Sequence, residues 1–92
     1  MAGITFRRGS TPYTLHTHFS EGKSLTYDEA YEIGIRHLTQ RVADLKKKFE
    51  DAGVASPLMV IDESNQRGGN HARYFYAGSG CHLENKPGVR RY

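Results

Sequence analysis

Residues 25–53 read LTYDEAYEIGIRHLTQRVADLKKKFEDAG. Within them Tyr31, Ile35, Leu38, Val42, Leu45, Phe49 and Ala52 recur at alternating intervals of four and three. On a helix of 3.6 residues per turn that spacing draws one apolar stripe. A stripe of this length demands a cover, and the cover decides the architecture. A seam against a second copy, as in a coiled coil, is one solution. The segment spans only about three to four heptads, close to the shortest that supports such a seam. Strand-like segments on both sides favour the other solution, in which the helix packs on a sheet of its own chain.

The ends of this helix are marked in the sequence. Thr26 followed by Glu29 forms a capping box, in which hydroxyl and carboxylate satisfy backbone donors reciprocally. Asp28, Glu29 and Glu32 place negative charge near the positive end of the dipole, and Gly53 suits the left-handed residue that closes a helix. Glu32 with Arg36 and Asp44 with Lys48 are well-oriented pairs four residues apart. Gly34 is expected as an internal weak point, costing about 1 kcal/mol relative to Ala. The run Lys46–Lys47–Lys48 reads as a solvated helix end with one lysine bordering the stripe.

Before the helix, ITFRR and YTLHTHFS alternate like two strands, joined by Gly9-Ser10-Thr11-Pro12 as a hairpin loop. In the second segment Tyr13, Leu15, Thr17 and Phe19 share one face, and His16 and His18 the other. After the helix, LMVID is apolar on both faces, which suits a central strand. A polar loop, ESNQRGGN, leads to a further strand, HARYFYA. CHLE and VRRY are expected to form a last hairpin around Lys86-Pro87-Gly88, where Pro and Gly suit a type II turn. The expected fold is α+β: an antiparallel sheet of four or five strands, ordered ββαβββ along the chain, with one long amphipathic helix on one face.

The chain has 92 residues, enough for a single domain over residues 1–92 with one modest core. Lys and Arg total 13 against 10 Asp and Glu, a net charge of +3, which fits a partner carrying negative charge without demanding one. No apolar run approaches the ~20 residues of a membrane-spanning helix. The stretch MAGITFRRGS has no apolar core of the signal-peptide kind. Cys81 is the single cysteine, so no internal disulfide forms. These features describe a soluble chain of a reducing cytoplasm, with no membrane partner.

One helix cannot cover both faces of such a sheet. With Ile4, Phe6, Leu15, Phe19, Leu58, Val60 and Phe75 towards the helix, the opposite face carries Thr5, Arg7, Thr14, His16, His18, Tyr74 and Tyr76, with Met59 and Ile61 beneath. If the register is shifted, Arg73 and Phe75 are the exposed pair instead. Either way an aromatic ring is left on an open sheet. The candidate contact residues are Arg7, Arg8, Arg36, Arg67, Arg73, Tyr74, Tyr76, Arg90 and Arg91. At their centre is RGGNHARYFYAG, residues 67–78, where a glycine turn meets alternating basic and aromatic side chains. Sheet aromatics stack bases and surrounding cations neutralise phosphates. The plain alternative is that strands are rich in Tyr and Phe anyway.

No motif in the chain specifies a reaction. HARYFYAG is not the RNP1 pattern of an RNA-recognition motif. NQRGGN lacks the Gly-Lys-Ser/Thr ending and following helix of a P-loop. His16 and His18, with His71 or His82, make a metal site conceivable, and Tyr27 or Tyr31 resembles the nucleophile of a His-hydrophobe-His nicking endonuclease. Thr17, however, stands where that motif has a hydrophobe, and no carboxylate completes the set. Cys81 fits a small half-buried residue better than a thiol nucleophile. No cofactor, metal or small-molecule substrate is expected.

In format the chain resembles the small phage-encoded anti-CRISPR inhibitors of bacteria. The segments that carry the likeness are ITFRRG, RGGNHARYFYAG and GVRRY, within a single small α+β domain lacking a catalytic signature. That group shares no common motif, so no residue roles transfer. The resemblance implies a non-catalytic inhibitor acting in the bacterial cytoplasm. It would occlude a guide-RNA effector complex through contacts to its protein subunits and to guide RNA or target DNA. Mild basicity sets the chain apart from the acidic, DNA-mimicking members. A free-standing DNA- or RNA-binding regulator is the alternative. A metal-dependent nuclease using His16 and His18 is the third reading.

Overall fold

The computed structural model describes residues 5–64 and 70–92. Its elements are three helices, α1 (Thr11–Ser20), α2 (Tyr27–Glu32) and α3 (Leu38–Asp51), followed by three strands, β1 (Leu58–Ser64), β2 (Asn70–Tyr76) and β3 (Val89–Arg91). The class is α+β. The four or five strands and the single long helix are both corrected. No helix among the described residues is long and apolar enough to cross a membrane.

The second strand of the expected N-terminal hairpin is a helix, and residues 5–8 of the first form no strand. Ser10, with extended backbone, caps α1 by accepting the Tyr13 N–H at 3.3 Å, and Pro12 lies in the first turn. Pro there needs no donor and its fixed φ is already helical. Leu15 and Phe19, four apart, are both fully buried. The period-two alternation of YTLHTHFS was therefore a coincidence that the cap and the Leu15–Phe19 spacing override. Ser10 to Pro12, expected as a hairpin loop, is the cap and first turn.

The long helix is two. The Thr26–Glu29 capping box forms as expected, each of its two hydrogen bonds 3.2 Å long. After six helical residues α2 ends, and Gly34 takes φ +92°. The Ile35 N–H reaches back to the Ala30 carbonyl at 2.9 Å, and the Gly34 N–H to Tyr31 at 3.1 Å. This bond pair is a Schellman motif, so Gly34 ends a helix where it was expected to weaken one. Gly53 closes α3 in the same way, with Val54 bonded to Phe49 and Gly53 to Glu50. His37, left-handed at φ 57°, starts α3 without a side-chain cap.

The stripe survives the break because Ile35 and Leu38 still enter the core, joining Val42, Leu45 and Phe49. Tyr31 does not: the turn at Gly34 leaves Ala30 as the buried residue of α2 and Tyr31 57% exposed. Full burial of a Leu or Phe side chain is worth roughly 1.5–3 kcal/mol. The stripe is thus the principal apolar contribution of α3.

β1 is central, as its two-sided apolar pattern requires, in a sheet of order β2-β1-β3 with both pairs antiparallel. The register pairs Leu58 with Tyr76 and Val60 with Tyr74. All four side chains therefore face the helices, and Tyr74 and Tyr76 are 5% and 4% exposed. This corrects their assignment to an open contact face. The shifted alternative fails too, because Phe75 is fully buried on the other face. There it meets Ile61, Cys81 and Leu83, with Met59 and Val89 alongside. The segment from Ala77 to Gly88, partly expected as a strand, folds instead as turns over that face. VRRY pairs with LMVID rather than with CHLE. The Lys86–Val89 turn has Gly88 at φ +87° and the Val89 N–H 3.4 Å from the Lys86 carbonyl, as Pro-Gly predicts.

Candidate binding surface

The nine candidate residues separate into three groups. Arg67, together with Gly68 and Gly69, lies outside the described residues. Tyr74, Tyr76 and Arg73 serve the fold. Arg7, Arg8, Arg36, Arg90 and Arg91 are exposed.

Arg73 projects from β2 at the sheet edge, as its parity with Phe75 predicts. Its Nη1 donates to Glu29 Oε1 at 2.9 Å and to Ser24 Oγ at 3.1 Å. Glu29 Oε1 also accepts the Thr26 N–H of the capping box. The Ser24 carbonyl accepts from His18 Nε2 at 3.3 Å. Beside these contacts Leu25 and Tyr74 exchange both backbone bonds, at 3.0 and 2.9 Å. Arg73 is thereby a clamp that fastens the α1–α2 connection and the start of α2 to the sheet. The sequence gives no sign of it, because Glu29 and Arg73 are 44 residues apart.

A second arrangement missed in the sequence surrounds His16. Its ring stacks on Phe6 with centroids 4.4 Å apart, and its Nδ1 lies 3.0 Å from the Tyr76 hydroxyl. Phe49 and Tyr76 lie edge-on beneath, 6.1 Å apart. Burial lowers the His16 pKa from its ordinary value and raises that of Tyr76, since both charged forms are poorly solvated there. His16 and His18, two apart on a helix, diverge: one turns to Tyr76, the other to the Ser24 carbonyl. The pair required by the nuclease reading is not side by side.

Phe6 consequently pins the segment that carries Arg7 and Arg8. The Lys48 ammonium sits 5.7 Å from the Phe6 ring, so this anchored aromatic has Arg7 and Arg8 next to it in the chain and Lys48 next to it in space. On the opposite flank of α3, Lys46 lies 5.5 Å from the Tyr92 ring, next to exposed Arg91. Among the described residues Arg7, Arg8 and Arg91 have no carboxylate partner. Arg90 is paired with Asp62, and Arg41 with Asp44 at 3.6 Å. Arg36 lies 5.7 Å from the Tyr31 ring. Tyr27, Tyr31 and Ile33 are the exposed large apolar side chains, all in or beside α2.

The chemistry of this surface is charge pairing rather than bond-making. Guanidinium groups without intramolecular partners can take carboxylate or phosphate in bidentate fashion, and the aromatics beneath fix where those groups stand. No family model matches this chain, and neither the curated proteins nor the solved structures contain one with significant similarity to it.

Proposed function

We propose that the chain is a non-catalytic binding protein that docks stoichiometrically on an anionic nucleoprotein. The target class is a CRISPR effector complex in the bacterial cytoplasm, where the protein acts as an inhibitor. The observation that carries this reading is the Arg7–Arg8 pair. Both guanidiniums are exposed and have no carboxylate partner among the described residues, on a segment held to the core by Phe6 stacked on His16. With the backbone anchored in this way, the ordering cost on binding is confined to the two side chains. Lys48, Lys46 and Arg91 extend the cationic surface across both flanks of α3. The contact surface is accordingly proposed on the N-terminal segment and α3, away from Tyr74 and Tyr76. The effector identity rests on the likeness in format alone.

The test is target cleavage by a panel of purified guide-loaded effectors with increasing protein. Inhibition that saturates at one equivalent of one effector, and is lost in Arg7→Ala/Arg8→Ala, is expected. A panel left fully active by the folded protein contradicts the inhibitor reading. The exposed Tyr27 and Tyr31 with Arg36 alongside favour a second reading, direct binding of nucleic acid as a free-standing regulator. That reading requires affinity for naked RNA or DNA that falls steeply with salt.

A further inference from the structure

On the sheet face turned away from the helices, a concavity of about 530 Å³ opens between Ser24, Ile61, Arg73, His82, Leu83 and Lys86. Three chain segments meet there: the α1–α2 connection, the β1–β2 pair, and the turns that precede β3. Ile61 and Leu83 belong to the second apolar cluster and form an apolar wall. The rest of the described lining is a guanidinium, an ammonium, an imidazole and a hydroxyl. Glu29 is bonded to the Arg73 guanidinium at 2.9 Å. With Ser24 it fixes the guanidinium at the rim. Lys86 and His82 are exposed and without ion-pair partners among the described residues. The size lies within the ~300–1,000 Å³ of ordinary ligand sites.

We propose that this concavity receives one nucleotide, its phosphate at Lys86 and His82 and its ring body against Ile61 and Leu83, with Arg73, already paired to Glu29, bordering the site. The inference rests on the proposed nucleic-acid-bearing partner and names the component that enters the site. A bare carboxylate, such as an acidic side chain, satisfies the cations but leaves the apolar wall and most of the volume unfilled. A nucleotide satisfies both. The same chemistry is offered by a free nucleotide and by a nucleotide within a single strand.

The experiment is a titration of the ¹⁵N-labelled full chain with UMP, with a hexauridylate oligonucleotide, with inorganic phosphate and with a glutamate-rich peptide. Saturable amide shifts at Ser24, Ile61, Leu83 and Lys86 are expected with UMP or the oligonucleotide, with phosphate alone weaker. Tighter binding of the oligonucleotide identifies the strand as the source, and equal or tighter UMP binding the free nucleotide. Lys86→Gln, exposed and unpaired, should keep the melting temperature and weaken binding about tenfold, the loss of one charge-assisted hydrogen bond. Absence of saturable shifts with both nucleotide probes overturns the site, as does a Lys86→Gln variant of unchanged affinity. Saturation by the peptide alone overturns it in favour of an acidic protein ligand. Nucleotide binding that fails while effector inhibition persists removes this site and leaves the proposed function standing. Inhibition that fails while UMP binds removes the effector and leaves the site.

Discussion

Single residues set the joints of this fold. Gly22 follows α1 at φ +83°, and a Cβ placed there would meet the Ser79 carbonyl oxygen at 2.9 Å. Backbone strain and a backbone clash therefore coincide, and Gly22→Ala should cost about 1–3 kcal/mol, read as a lowered midpoint in denaturant. Gly34 is the contrast. Its φ is +92° but nothing lies within 4 Å of an added Cβ, so Gly34→Ala should cost only about 1–2 kcal/mol of left-handed strain. His16 adds a pH dependence. Its pKa is lowered in the folded state, so below pH ~6.5 the unfolded chain binds the proton first and stability falls with pH. Thermal melting between neutral and mildly acid pH should show that loss, and His16→Phe should flatten it. An unchanged slope in His16→Phe would assign the acid sensitivity to other groups.

At the scale of elements, α3 depends on its stripe. Leu45 is fully buried, so Leu45→Ala should cost roughly 2–5 kcal/mol; a near-neutral melting change would mean that the stripe is not packed internally. The stripe, the capping box at Thr26, the cap at Gly53, the central position of β1 and the Pro87-Gly88 turn were all legible, because each depends on residues close in sequence. What failed was arbitration between local signals. YTLHTHFS carries both a period-two alternation and a Ser10–Pro12 helix start, and the helix start won. Gly34 is compatible with a helix interior and with a Schellman stop, and only the direction of the chain beyond it decides. The expected open face failed for a different reason. CHLE was read as a strand, whereas its Cys81 and Leu83 fold over Phe75. Of the candidate contact residues, Arg7, Arg8, Arg36, Arg90 and Arg91 are exposed, but Tyr74 and Tyr76 were misassigned because period two fixes alternation without saying which parity faces in. The Glu29–Arg73–Ser24 clamp was invisible, since nothing local links its members. Arg73→Ala should therefore destabilise the fold, with the largest loss of amide protection at Leu25 and Tyr74.

For the whole molecule, two apolar clusters lie on opposite faces of one small sheet. The helices cover one, and the turns from Ala77 to Gly88 cover the other. With both faces occupied, the sheet offers no aromatic platform, and the effector contacts proposed above lie on the N-terminal segment and the helical side. The cations there are of two kinds. Arg41, Arg73 and Arg90 are committed to Asp44, Glu29 and Asp62. Arg7, Arg8 and Arg91 have no carboxylate partner among the described residues. The measurement that tests this division most directly is inhibition by two variants compared side by side in the effector panel, with melting temperature recorded for each. Arg7→Ala/Arg8→Ala should keep the melting temperature of the parent chain and lose inhibition. Tyr31→Ala, an exposed change elsewhere, should keep both. Full inhibition by a folded Arg7→Ala/Arg8→Ala variant would contradict the proposal that the N-terminal arginines form the contact surface.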